Sequence, residues 1–175
     1  MIKIKYPEGN VLNSYGALYE PGMVKMDNDL FCNQHACRLS KEGYLYLFDN
    51  NTCGSPAIPK IVMMKEPTLT NDTMKKVWEY QCTIDGMHAS RKENLNFPKG
   101  GNVEELPDGS MFVSMCGPYS KIFITDRNKD VLWSAVGEKY DTVAKQWMNM
   151  TLYRASIIPN REELEKLIWN AGDKL

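Results

Sequence analysis

The chain has 175 residues, 43% of them hydrophobic and 25% charged, and its formal net charge is -1. Such a balance is that of an ordinary soluble protein and gives no general attraction to nucleic acid or to an anionic membrane. No run approaches the length of a membrane span, and MIKIKYPEGN at the start has no apolar segment after its lysines, as a secretory signal would.

The expected location is therefore cytoplasmic, or periplasmic or secreted if a signal lies upstream of Met1. Five cysteines, Cys32, Cys37, Cys53, Cys82 and Cys116, contain no CxxC pair, and with two histidines they lack zinc-site spacing. No metal or cofactor is expected. Mostly reduced, packed thiols are the expectation, with room for one bridge.

Residues 1 to 30 combine short apolar alternation (Ile2, Ile4, Tyr6) with Pro7, Gly9, Gly16, Pro21 and Gly22, which predicts one or two short strands with loops. Phe31 to Asn50 places a polar lip, Asn33-Gln34-His35, before a Glu42-Gly43 turn and the run Tyr44-Leu45-Tyr46-Leu47-Phe48. Ile61 to Met64 and Val77 to Tyr80 are the next strands. Met87 to Gly101 is polar and long, a candidate functional loop. Leu106-Pro107-Asp108-Gly109 is a turn leading into a strand at 110–115, and further strands are expected at 121–125 and 131–134.

These segments repeat. The order of Gln34-His35-Ala36, a Gly43 turn, two strands and Val77-Trp78 parallels Gly101-Asn102-Val103, a Gly109 turn, two strands and Leu132-Trp133. The offset is about 67 residues at the first turn and about 55 at the tryptophans, so the copies differ by an insertion in the 50–76 region. Four short antiparallel strands per unit, ending on a Trp, predict propeller blades. A ring needs at least four blades, so the expected architecture is all-β, with residues 1–158 belonging to the C-terminal part of a longer propeller; a self-contained small β domain is the alternative. Residues 159–175, with Leu164, Leu167 and Ile168 at helical spacing, predict a C-terminal helix packed on the β body.

His35 is the leading candidate for chemistry. An imidazole beside a buried strand can serve as nucleophile or general base, though a histidine satisfied in a turn explains the same residues. His88, with Arg91, Lys92 and Lys99, lies in the polar loop and reads either as an anion site or as a solvated face. Arg154, between apolar neighbours, reads as a structural clamp or an oxyanion ligand. Trp78, Trp133, Tyr80 and Phe123 are expected in the core, whereas Trp147 and Tyr153 are candidates to line a pocket. Asn50, Asn71 and Asn149 begin N-x-Ser/Thr sequons, which mark surface loops.

The ordered set Gln34-His35-Ala36, Leu47-Phe48-Asp49-Asn50, Val77-Trp78-Glu79-Tyr80, Gly101 to Gly109, Val131-Leu132-Trp133 and Tyr153-Arg154-Ala155 resembles the arylsulfotransferase family over roughly residues 25–158. The resemblance implies a six-bladed propeller, often periplasmic and homodimeric. It implies transfer of a sulfuryl group from an aryl sulfate to a phenol through a histidine, without a nucleotide sulfate donor. His35 resembles the family's Gln-His-Ala/Thr histidine, taken as the catalytic channel residue, with Asn50, His88, Asn102 and Arg154 as candidate substrate-binding groups. After Asp49-Asn50 the chain reads Asn51-Thr52-Cys53-Gly54, without the arginine frequent in that family. A catalytically inactive propeller that binds a partner, and a β domain that binds a carbohydrate or small anion, are the competing functions.

Overall fold

The computed structural model describes residues 1–15, 19–20, 23–24, 30–52, 58–66, 74–82, 99–117, 120–158, 160 and 162–166. Among the described residues fourteen strands follow one another: β1 (Ile2–Ile4), β2 (Val11–Ser14), β3 (Tyr19–Glu20), β4 (Met23–Val24), β5 (Gln34–Leu39), β6 (Leu45–Asp49), β7 (Lys60–Lys65), β8 (Lys75–Gln81), β9 (Asn102–Glu105), β10 (Met111–Ser114), β11 (Lys121–Thr125), β12 (Val131–Val136), β13 (Glu138–Asp141) and β14 (Gln146–Asn149). They form two four-stranded antiparallel meanders, β5-β6-β7-β8 and β9-β10-β11-β12, with two-stranded pairs β1-β2, β3-β4 and β13-β14. The described part is thus mostly β, and the continuous apolar runs Leu45 to Phe48 and Ile61 to Met64 suit strands of a sheet buried on both faces.

The repeat is visible at the level of single residue pairs. Each meander opens on a tight turn in which a glycine at positive φ, Gly43 at 83° and Gly109 at 86°, donates its N–H to Ser40 and to Leu106. Tyr46 pairs with Met63 and Met63 with Trp78; in the second meander Phe112 pairs with Ile124 and Ile124 with Trp133. Both outer strands carry an irregularity at the next step, between Met63 and Met64 and between Ile124 and Thr125. The insertion therefore lies in two connections of the first copy, 50–59 and 66–74, and leaves the sheet registers intact.

The meanders stack face to face. Tyr46, Phe48, Ile61, Met63 and Tyr80 of the first sheet pack against Val103, Met111, Val113 and Phe123 of the second in one buried cluster. The opposite face of the first sheet, with Leu47, Val62 and Met64, packs on Tyr15, Phe31 and Met74. Apolar burial on this scale is the main favourable term, about 25 cal/mol for each Å² removed from water.

Packing explains where the sequence expectations differ from the structure. Trp78 is half-buried against the shared core, but Trp133, expected to be internal, is 49% exposed. It stands at the corresponding pair on the outward face of the second sheet, where no third meander follows among the described residues. Cys32 is disulfide-bonded, whereas Cys37, Cys82 and Cys116 are free thiols. Residues 162–166 are helical, with the Asn160 Oδ1 accepting the Glu163 N–H at 2.7 Å as an N-terminal cap. Leu164 is 42% exposed, so this described turn does not bury its apolar residue as the amphipathic pattern predicts.

Candidate functional site

β5 and β9 are the first strands of the two meanders, and Arg38 reaches from one to Glu104 on the other at 3.4 Å. His35 pairs with Phe48 on β6, and Asn102 pairs with Ser114 on β10. Counting from the glycine turns, Phe48 and Ser114 are equivalent, so His35 and Asn102 are equivalent too. The correspondence holds across a bulge on β5 between His35 and Arg38.

That bulge distorts the backbone around the histidine. Ala36 is held at φ 53°, a left-handed conformation that costs a residue with a Cβ about 1–2 kcal/mol. Asn33 and Asn51 on either side are also left-handed, at 62° and 50°, which asparagine tolerates better. Bulges re-aim side chains and concentrate near functional sites. Nothing in the apolar pattern signalled it, because the extra residue falls among small and polar side chains.

Next along β6 from Phe48, the strand partner of His35, comes a hydrogen-bonded strut. Asn50, nearly fully buried, donates from Nδ2 to the carbonyls of Asn33 (3.3 Å) and Gly100 (3.2 Å) and accepts from the Cys116 thiol at 3.5 Å. The neighbouring Asp49 carboxylate accepts the N–H groups of Cys32 (2.9 Å) and Asn51 (2.8 Å) on Oδ1, while Oδ2 has no hydrogen-bond partner and lies 3.9 Å from the Lys60 Nζ. Burial pushes the Asp49 carboxyl above its ordinary range, against those two N–H groups and Lys60. Lys60 also pairs with Glu79 at 3.2 Å. Lys121 stands at the equivalent position on β11, buried, with its Nζ 5.9 Å from the Phe123 ring centre. Sequence reasoning passed over both lysines, although each copy carries the same Lys-Ile pair at the start of its third strand.

The remaining candidates are placed as follows. Asn102 is fully buried and donates to Glu104 (2.6 Å) and to the Ala155 carbonyl (2.9 Å), leaving its Oδ1 without a hydrogen-bond partner. The Ala155 N–H in turn donates to the Ser114 hydroxyl at 3.0 Å. Arg154, expected between apolar neighbours to be buried, is exposed with its guanidinium 5.9 Å from the Tyr153 ring centre. Asn50 and Asn102 thus come to the same end of the stacked sheets as His35, Arg154 lies on the rim, and His88 lies outside the described residues.

Thiol chemistry is disfavoured here. Burial pushes Cys82 far up and Cys116 up to about 11, so neither supplies a thiolate near neutral pH. Among the described residues, no group of three or more His, Cys, Asp or Glu side chains is arranged to hold a metal ion. No family model, curated protein or solved structure matches the chain.

Proposed function

We propose that the two meanders are successive blades of a propeller, of the six-bladed kind the sequence resemblance implies, and that the protein is an arylsulfotransferase-like enzyme acting through His35. The observation that carries this reading is the pairing of a histidine with a strained bulge at a position where the equivalent unit uses Asn102. The fold of the unit does not require an imidazole, so the histidine serves something other than the sheet.

In the proposed reaction a ring nitrogen of His35 attacks the sulfur of an aryl sulfate, the S–O bond to the aryl group breaks, and the phenolate leaves. An acceptor phenol oxygen then attacks the sulfur, the S–N bond breaks, and the phenolic proton is released. Splitting one displacement into two in this way is the usual gain of a covalent intermediate. The test is release of p-nitrophenol from p-nitrophenyl sulfate in the presence of an acceptor phenol; unchanged release in His35→Asn removes His35 from the chemistry. The bonded Cys32 supports an oxidising compartment such as the periplasm.

A second reading, a non-catalytic propeller that binds a partner, is favoured by a separate observation. The amides of Asn50 and Asn102 are engaged with the protein's own backbone, and Arg154 is directed to solvent, so these candidates do not form a cationic cradle for sulfuryl oxygens. Mass-spectrometric trapping of a sulfurylated histidine excludes this reading.

A further inference from the structure

The contact between the two meanders shows how this repeat is recognised by its neighbour. The Trp78 indole N–H donates to the Arg127 carbonyl at 2.9 Å, and the Arg127 guanidinium lies 5.7 Å from the indole ring centre. The same guanidinium pairs with Glu105 at 2.6 Å, and Met111 lies beneath in the shared core. A tryptophan on the face that one sheet turns to the next is therefore held by Arg127, which Glu105 fixes in place, at the border of the core that contains Met111.

The strand registers identify the counterparts of all four residues. Trp133 corresponds to Trp78, because each pairs with the third-strand residue that precedes the irregularity. Leu39 and Leu45 correspond to Glu105 and Met111, since each couple flanks its glycine turn as a cross-strand pair. Glu66 corresponds to Arg127, two residues beyond the paired couples Leu45–Met64 and Met111–Thr125. These three counterparts line one cavity of 520 Å³ on the opposite face of the first sheet, together with Lys3 and Tyr15. Among the described residues there is thus an exposed tryptophan at one end of the stack and a cavity lined by the counterparts of its neighbour's contact at the other.

The exposures and charges agree. Trp133 is 49% exposed and flanked by Val131 and Leu132, while Leu39 is 65% exposed. Residues 152–156 cross the outward face of the second sheet at Asn102 and Ser114, on the β9 side, and so leave the β12 side open. In the cavity Glu66 accepts from Lys3 at 2.6 Å and from the Tyr15 hydroxyl at 2.5 Å, which keeps its carboxyl below the ordinary range. A carboxylate and a cation thus border an apolar floor, a lining suited to an indole N–H and ring face.

We propose that the chain associates head to tail, Trp133 of one copy entering the cavity of a second copy bounded by Leu39, Leu45 and Glu66. This repeats between molecules the step that relates the two meanders within one, and it rests on the strand registers and not on sulfuryl transfer. Because the two surfaces differ, the contact is heterologous, so it forms a closed ring where the rotation closes and a filament where it does not.

Sedimentation of the full chain from about 5 to 500 µM, the range in which a contact of modest area dissociates, tests it. Wild type is expected to gain mass with concentration, and Trp133→Asp and Leu39→Asp each to remain monomeric. Mixed, the two variants are expected to form a 1:1 dimer, since each retains the half the other lacks. Circular dichroism melts confirm that both remain folded, and Trp133→Ala with Leu39→Ser repeats the mixing experiment without added charge. A wild-type monomer throughout the range, or folded variants that fail to complement on mixing, overturns the proposal.

Discussion

The Glu105 N–H donates to the Tyr46 hydroxyl at 3.0 Å, joining the first strand of one meander to the second strand of the other through a single phenol. Removing the oxygen alone, in Tyr46→Phe, keeps the buried ring and leaves one backbone donor without its partner. A net loss of about 1 kcal/mol is expected, the usual contribution of one intramolecular hydrogen bond, read from the midpoint of a urea titration.

A larger effect is expected two residue contacts away. Arg127→Ala removes the cation that pairs with Glu105, whose side chain is only 6% exposed, and uncovers Trp78. Leaving a largely buried carboxylate with no cation, only the Lys41 N–H at 2.8 Å, is expected to cost about 2–3 kcal/mol, reduced because Arg127 is itself 30% exposed. Arg127→Ala with Glu105→Gln should recover part of that loss; an additive double variant would show that the pair is not coupled.

Gly101 and Gly43 both have positive φ, yet they differ in surroundings. A Cβ on Gly101 would run into the Phe48 ring, whereas one on Gly43 meets open space. Gly43→Ala should lose only about 1 kcal/mol, from backbone strain alone. Gly101→Ala should lose at least about 2–3 kcal/mol, because Phe48 is fully buried and cannot move without repacking. Thermal melts of the two variants provide the comparison.

Asp49 gives the chain a pH signature. Burial raises its native pKa above the ordinary value of 3.8, so the unfolded chain loses this proton first as pH rises. The favourable contribution of the protonated carboxyl is complete below that value and is lost as pH climbs through the raised native pKa. Asp49→Asn removes the titration, so the stability difference between variant and wild type should grow in the variant's favour on going from acid toward neutral pH. A difference independent of pH, measured by urea titrations at a series of pH values, would contradict it.

His35→Asn is expected to be nearly neutral for folding, within about 0.5 kcal/mol, because the second meander already places Asn102 there. A melt lowered by many degrees would assign the imidazole a structural role.

Much of the β architecture was readable from the chain because its signals are local. The glycine turns at 43 and 109, the apolar runs and the two Val/Leu-Trp strands mark the meanders, and the strand pairs place His35 and Asn102 at equivalent positions. What could not be read depends on which element covers which. Trp78 and Trp133 look alike in sequence, but among the described residues only the first faces a following four-stranded meander, so burial differs while local pattern does not. Arg154 misled for the same reason: apolar neighbours along an irregular segment do not define an enclosed environment. The bulge at Ala36 and the pairs β3-β4 and β13-β14 carry no strong periodic signal, being short or built on polar residues.

The irregularities shared by β7 with β8 and by β11 with β12 bear on how this protein avoids uncontrolled growth. An unpaired outer strand invites lateral addition of foreign strands, and a break in its ladder twists the edge away from such templating. Since both outer strands are broken at the same step, backbone-to-backbone extension is discouraged where the side chains are most apolar. The outward surface around Val131 and Trp133 can therefore stay sticky through its side chains while its main chain remains a poor seed for amyloid.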